Sequence, residues 1–178
     1  DYRFEYASFY STLLEFSIYQ ASANSQVLLI TRIAQLDRWG FEERLLPTIK
    51  KIAESKDQNF QDEFKLLKAI TSHGELLSYP TKLRLQKIIQ DKSLQIEQGN
   101  FPGLADLVKD YLSLLLKLDT NNYWAYAQLG NYCLLIADVD CAKNAYQLCS
   151  NLYRHDHYDC NRLAERISSE NDIEGCLL

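Results

Sequence analysis

Residues 116–156 read LKLDTNNYWAYAQLGNYCLLIADVDCAKNAYQLCSNLYRHD, and this stretch decides the fold. Leu129 and Gly130 set a large residue beside a small one, with the bulky Tyr126 three positions before Leu129 and Gly130 just after it. Further on, Ala142 supplies a second small residue, and Tyr146 and Cys149 follow as a large and a small core residue. Alternating large and small side chains at these spacings let two antiparallel helices approach closely. A helical hairpin is therefore predicted, with helices over 123–136 and 141–153. The polar run Leu118-Asp119-Thr120-Asn121-Asn122 forms the linker into it.

Working outward, the rest of the chain repeats the helical period. Residues 80–98 and 104–118 are predicted helices joined at Gly99-Asn100, and Pro80 suits the first turn of the former. A last helix over 157–168 carries Cys160, Leu163, Ala164 and Ile167 on one face. Toward the N-terminus, Tyr2, Tyr6, Phe9, Leu13 and Phe16 advance by helical steps along one face. Leu28, Leu29, Ile33 and Leu36 mark a second helix ending at Gly40, and a third runs over 42–55 with Pro47 in or near it. Phe60, Phe64, Leu67 and Ile70 mark a fourth, ended by His73-Gly74. The chain has 29 leucines against 3 valines, and only 6 glycines and 3 prolines. That composition argues against sandwiches, barrels and βαβ folds, which need branched strand residues and glycine-rich turns. The expectation is an all-α protein of about nine helices, with amphipathic helices over 1–79 and paired helices over 80–178.

Residues 123–156 resemble a tetratricopeptide repeat. Leu129-Gly130, Tyr126, Ala142, Tyr146 and Cys149 stand where that family places its large and small packing residues. The departures are Thr120 in place of the linker proline, Arg154 in place of the closing proline, and Cys133 in place of a large residue. Residues 80–120 look like a degenerate copy, and 157–168 like a capping half-repeat, which a solenoid needs over its last apolar face. The resemblance implies a curved stack of helical pairs whose inner groove binds a peptide or partner protein. Carried over residue by residue, that groove would present Trp124, Asn131, Leu134 and Leu135, with Tyr158, Asn161 and Glu165 from the terminal helix. Ala127 stands where family members that clamp a terminal carboxylate carry lysine, so an acidic C-terminal peptide is not the expected ligand.

A second resemblance is to the extracytoplasmic tail of bacterial O-antigen ligases, O-antigen polymerases and protein O-oligosaccharyltransferases. Its carriers are the abrupt start Asp1-Tyr2-Arg3, the segment IAQLDRWGF at 33–41, and a repeat near the C-terminus. It implies an accessory domain of a polytopic membrane glycan ligase or polymerase, placed in the periplasm. An interaction module of the first kind would instead sit in the cytoplasm. The chain contains no methionine, which points to a piece of a longer or processed protein. An adjacent membrane anchor would suit the seven aromatics among the first twenty residues, with tyrosines at headgroup level. The competing expectation for those aromatics is a core helix docked on its neighbours.

Net charge is −5, which gives no general attraction to nucleic acid. No apolar run reaches the roughly 18 residues needed to cross a bilayer. Cys133, Cys141, Cys149, Cys160 and Cys176 fit no zinc pattern. They are expected as small buried hydrophobes, with a disulfide in an oxidising compartment as the alternative. His155-Asp156-His157-Tyr158-Asp159-Cys160 gathers metal-ligand types, but it bridges two helices where Asp156 or Asp159 can cap the next one. No metal, cofactor or catalytic residue is expected. The expected function is non-catalytic binding of a protein or peptide.

Overall fold

A computed structural model describes residues 2–17, 22–55, 59–99, 101, 103–152 and 158–170, with backbone alone at 16–17, 158–159, 166 and 168–170. The protein is all-α. Its described elements are α1 (Tyr2–Ser17), α2 (Ala23–Leu36), α3 (Phe41–Glu54), α4 (Phe60–Thr71), a 3-10 turn (Gly74–Leu76), α5 (Tyr79–Gly99), α6 (Ala105–Leu118), α7 (Tyr123–Leu135), α8 (Val139–Leu152) and α9 (Tyr158–Glu170). The chain divides into two compact units, Asp1–Lys92 and Ser93–Leu178, with the division inside α5.

In the first unit, Ile30 and Ile33 of α2, Phe41, Leu45 and Ile49 of α3, Leu67 and Ile70 of α4, and Leu85 and Ile89 of α5 form fully buried core. Pro47 lies inside α3. α1 joins this unit through Ala7 and Leu14, both buried, seven residues and two turns apart. Its aromatic stripe points elsewhere: Tyr2 is 80% exposed, and Phe4, Tyr6 and Phe9 all exceed half exposure. Phe4 packs at the surface under the Arg44 guanidinium of α3, 4.5 Å from its ring centre. Tyr10 is half-buried, and the Phe16 side chain and Tyr19 lie outside the described residues. For the four exposed rings the expectation of aromatics docked into the core is thus corrected. The physical reason is that a small face at Ala7 permits a closer helix approach than a row of rings. Polar groups fix the connections. Asp37 accepts the Gly40 N–H at 2.9 Å and pairs with Arg44 at 2.8 Å, closing the α2–α3 turn. Burial raises the Asp37 pKa, but the Gly40 and Arg44 hydrogen bonds outweigh it and hold the carboxyl below its ordinary value. Glu42, in the first turn of α3, accepts from the Ser78 N–H (2.6 Å), the Ser78 hydroxyl (2.7 Å) and the Thr81 hydroxyl (2.6 Å) at the start of α5. Deep in the unit, Lys92 Nζ lies 2.8 Å from Glu63 and 3.2 Å from the Ser55 carbonyl, with both side chains almost wholly buried.

In the second unit the hairpin appears as the spacing predicts. Asn122 caps α7, its side chain accepting from the Ala125 N–H at 3.0 Å. α7 ends in a Schellman turn: Asp138 N–H bonds the Cys133 carbonyl and Ala137 N–H the Leu134 carbonyl, with Ala137 at φ 59°. Asp138 then accepts from the Cys141 N–H at 3.0 Å and starts α8. A Cβ placed on Gly130 would meet the Tyr146 ring at 2.6 Å, so only glycine lets α7 and α8 approach this closely. Ala142 is fully buried in the same core, with Cys133, Tyr146 and Cys149.

Cys133, Cys149 and Cys160 are buried as expected, and the disulfide alternative holds as well. Cys133 is disulfide-bonded to Cys141, tying α7 to α8, and Cys149 to Cys160, tying α8 to α9. The Cα separations of 5.7 and 6.2 Å fall in the ordinary range for cystine. Burial and bonding coexist here, because helices held close by small residues bring facing thiols within reach. Cys176 and the 155–157 part of the metal-ligand-rich run lie outside the described residues.

Candidate functional site

The second unit holds a groove of about 360 Å³ built from the last turns of α5, the start of α6 and one face of α7. Ile96, Phe101, Ala105, Val108 and Leu135 give it an apolar lining, and Glu97, Gln128, Asn131 and Tyr132 bring polar atoms to its walls. On α7, Gln128, Asn131 and Leu135 follow at helical steps, so one stripe of that helix supplies a whole wall. Phe101 reaches its place because Gly99 carries no Cβ, which would collide with the Phe101 ring. Leu135 is 74% exposed, leaving a large apolar side chain at the mouth.

Hydrogen bonds hold the α7 wall in one arrangement. The Tyr146 hydroxyl, from α8, donates to Asn131 Oδ1 at 2.6 Å. Asn131 Nδ2 lies 3.4 Å from Gln128 Oε1. The Tyr132 hydroxyl donates to Asp106 at 2.6 Å. That bond, with burial and the nearby Asp106 and Asp110 charges, pushes the Tyr132 phenol up to about 12. Glu97 is solvent-accessible, yet the apolar atoms around it strip enough water to raise its carboxyl above the ordinary value.

The structure gathers some of the residues expected to line a groove and separates others. Asn131 and Leu135 share the groove. Leu134 does not: one residue, about 100° of helix, before Leu135, it turns to another side and is buried in the core cluster with residues of α8 and α9. Trp124 is half-buried and outside the groove lining, and Asn161 and Glu165 are exposed on α9, also outside it. The Tyr158 side chain lies outside the described residues. Sequence reasoning missed Ile96, Glu97, Phe101, Val108, Gln128 and Tyr132. Glu97 and Gln128 read as ordinary solvated positions, and only Gly99, two residues before Phe101, hinted at a close approach.

No family model, curated protein or solved structure matches the chain. The tetratricopeptide and ligase-tail readings accordingly rest on residues of this chain alone. Among the described residues, no group of three or more histidine, cysteine, aspartate or glutamate side chains could hold a metal ion. No described helix is long and apolar enough to cross a membrane.

Proposed function

We propose that the chain is an interaction module that binds a peptide or partner-protein segment in the groove of its second unit, without catalysis of its own. The observation that carries this reading is the groove itself: an apolar lining with two side-chain amides on one wall. Its volume is in the range of natural ligand sites. Asn131 supports it in particular, since the Tyr146 hydroxyl occupies its oxygen and Gln128 takes one amide hydrogen, leaving the other for a backbone carbonyl. The resemblance to tetratricopeptide repeats points the same way, with the groove-facing helix as the first of the pair.

A displayed random-peptide selection against the full chain tests the proposal. Selected peptides should lose binding to an Asn131→Ala/Leu135→Ala double variant whose circular dichroism and melting temperature are unchanged. Peptides that bind the double variant as well as the parent would overturn it.

One observation favours a second reading, in which the chain is the extracytoplasmic accessory domain of a membrane glycan ligase or polymerase. Two disulfides belong to an oxidising compartment such as the periplasm, and are rare in the cytosol. Maleimide labelling of the protein in its native cells, with and without prior reduction, tests the compartment. Four thiols that appear only after reduction, beyond the fifth cysteine Cys176, support it, and Cys133, Cys141, Cys149 or Cys160 labelled without reduction counts against it.

A further inference from the structure

The groove's charge pattern narrows what it binds. Among the described residues no lysine or arginine lines it, and the one charged residue that does is Glu97. Glu97 has no hydrogen bond or ion pair among the described residues, while the apolar wall beside it disfavours its bare charge. A cation brought to such a carboxylate relieves that cost. Asp106 adds a second negative charge nearby through its bond to Tyr132, whose ring is part of the same lining. The sequence of the second unit carries the same sign overall: residues 93–178 hold 12 acidic and 6 basic side chains, whereas residues 1–92 hold 12 acidic and 13 basic. A field of that sign draws cationic segments toward the second unit and repels acidic ones. On the α7 wall the hydrogen-bonding sense is the reverse. Asn131 Oδ1 and Gln128 Oε1 already accept, the latter from Asn131 Nδ2, so what remains for a ligand is one Asn131 N–H and the Gln128 amide hydrogens.

We propose that this groove takes a peptide segment bearing an arginine or lysine, whose aliphatic stem lies over Phe101 and Leu135 and whose cationic head pairs with Glu97. The Asn131 and Gln128 amides donate to the segment's backbone carbonyls. The inference rests on the peptide-binding reading of the same groove and adds the sign and place of the charge. Long basic side chains suit a site of this kind, since their stems bury against apolar surface while the head stays at a polar edge.

The test uses the full chain and three fluorescein-labelled peptides of one alanine–leucine background, with a central arginine, its neutral isostere citrulline, or glutamate. Fluorescence anisotropy should rank the arginine peptide at least about tenfold tighter than the citrulline peptide, with glutamate weakest. Glu97→Gln should erase the preference for arginine over citrulline. Equal binding of arginine and citrulline, or a preference that survives Glu97→Gln, overturns the inference. Should all three peptides bind alike and all weaken in Asn131→Ala, peptide binding stands and only the cation preference falls. Should none bind, both fall.

Discussion

The two units of this chain are fastened by different chemistry. The first has no cysteine and relies on carboxylates: Glu63 with Lys92, Asp37 with Arg44 and Gly40, and Glu42 at the start of α5. The second has both disulfides, a glycine against a tyrosine ring, and phenol hydroxyls bonded to Asp106 and Asn131. The difference teaches that one helical composition can be stabilised by two sets of conditions. The Asp37 and Glu42 fastenings, whose pKa values are lowered, weaken in acid, whereas cystines weaken under reduction. The Tyr132 phenol, neutral in the fold and raised to about 12, contributes stability that is present below pH 10 and lost as pH rises toward 12.

The largest expected effect separates the units outright. Reducing both cystines should destabilise the second unit by about 5 kcal/mol, since each closes a loop of roughly ten residues worth about 2–3 kcal/mol. Hydrogen exchange with and without a phosphine reductant reads this by segment. Protection should fall in α7 and α8 and stay unchanged in α2–α4; a fall in both units would break the contrast.

Next comes the buried ion pair. Lys92→Met leaves Glu63 buried without its cation, which should cost about 3–5 kcal/mol in urea unfolding. The double variant Lys92→Met/Glu63→Leu should recover most of that. A single variant within experimental error of the parent would show that the first unit does not depend on this pair.

Ala142→Leu sharpens the comparison from the other side. Ala142 is fully buried at the contact of α7 and α8, so the added carbons of leucine overpack it and should cost about 1–3 kcal/mol. An unchanged thermal melt would show that small-residue packing does not hold the hairpin together.

The smallest effect is the pH dependence of Glu42. The Thr81 hydroxyl bond, opposed by burial and reinforced by Ser78, lowers its pKa from 4.5. A lowered folded pKa contributes stability above the unfolded value of 4.5 and loses it as pH falls through the folded one. Glu42→Gln should therefore cost about 1 kcal/mol at neutral pH, and the gap from the parent should close below pH 4.5. A gap that stays constant through the acid titration would assign the effect to lost geometry instead of charge.

The sequence by itself determined the helices and the tight hairpin. Leucine excess and scarce glycine set the class, and Leu129-Gly130 with Ala142 and Tyr146 set the close approach, because helical period and side-chain size are local properties. The tetratricopeptide resemblance, carried over residue by residue, named Asn131 and Leu135, which line the groove, along with Trp124 and Leu134, which do not. Only the tertiary structure decided which stripe of α1 is covered, since Ala7 and Leu14 compete with an equally periodic row of aromatics. It likewise decided the cysteine pairing, which depends on distances between helices rather than on spacing along them. Glu97, Phe101 and Val108 joined the groove for the same reason: they come from α5, its following turn and α6, and a site assembled across elements has no signature in any one of them.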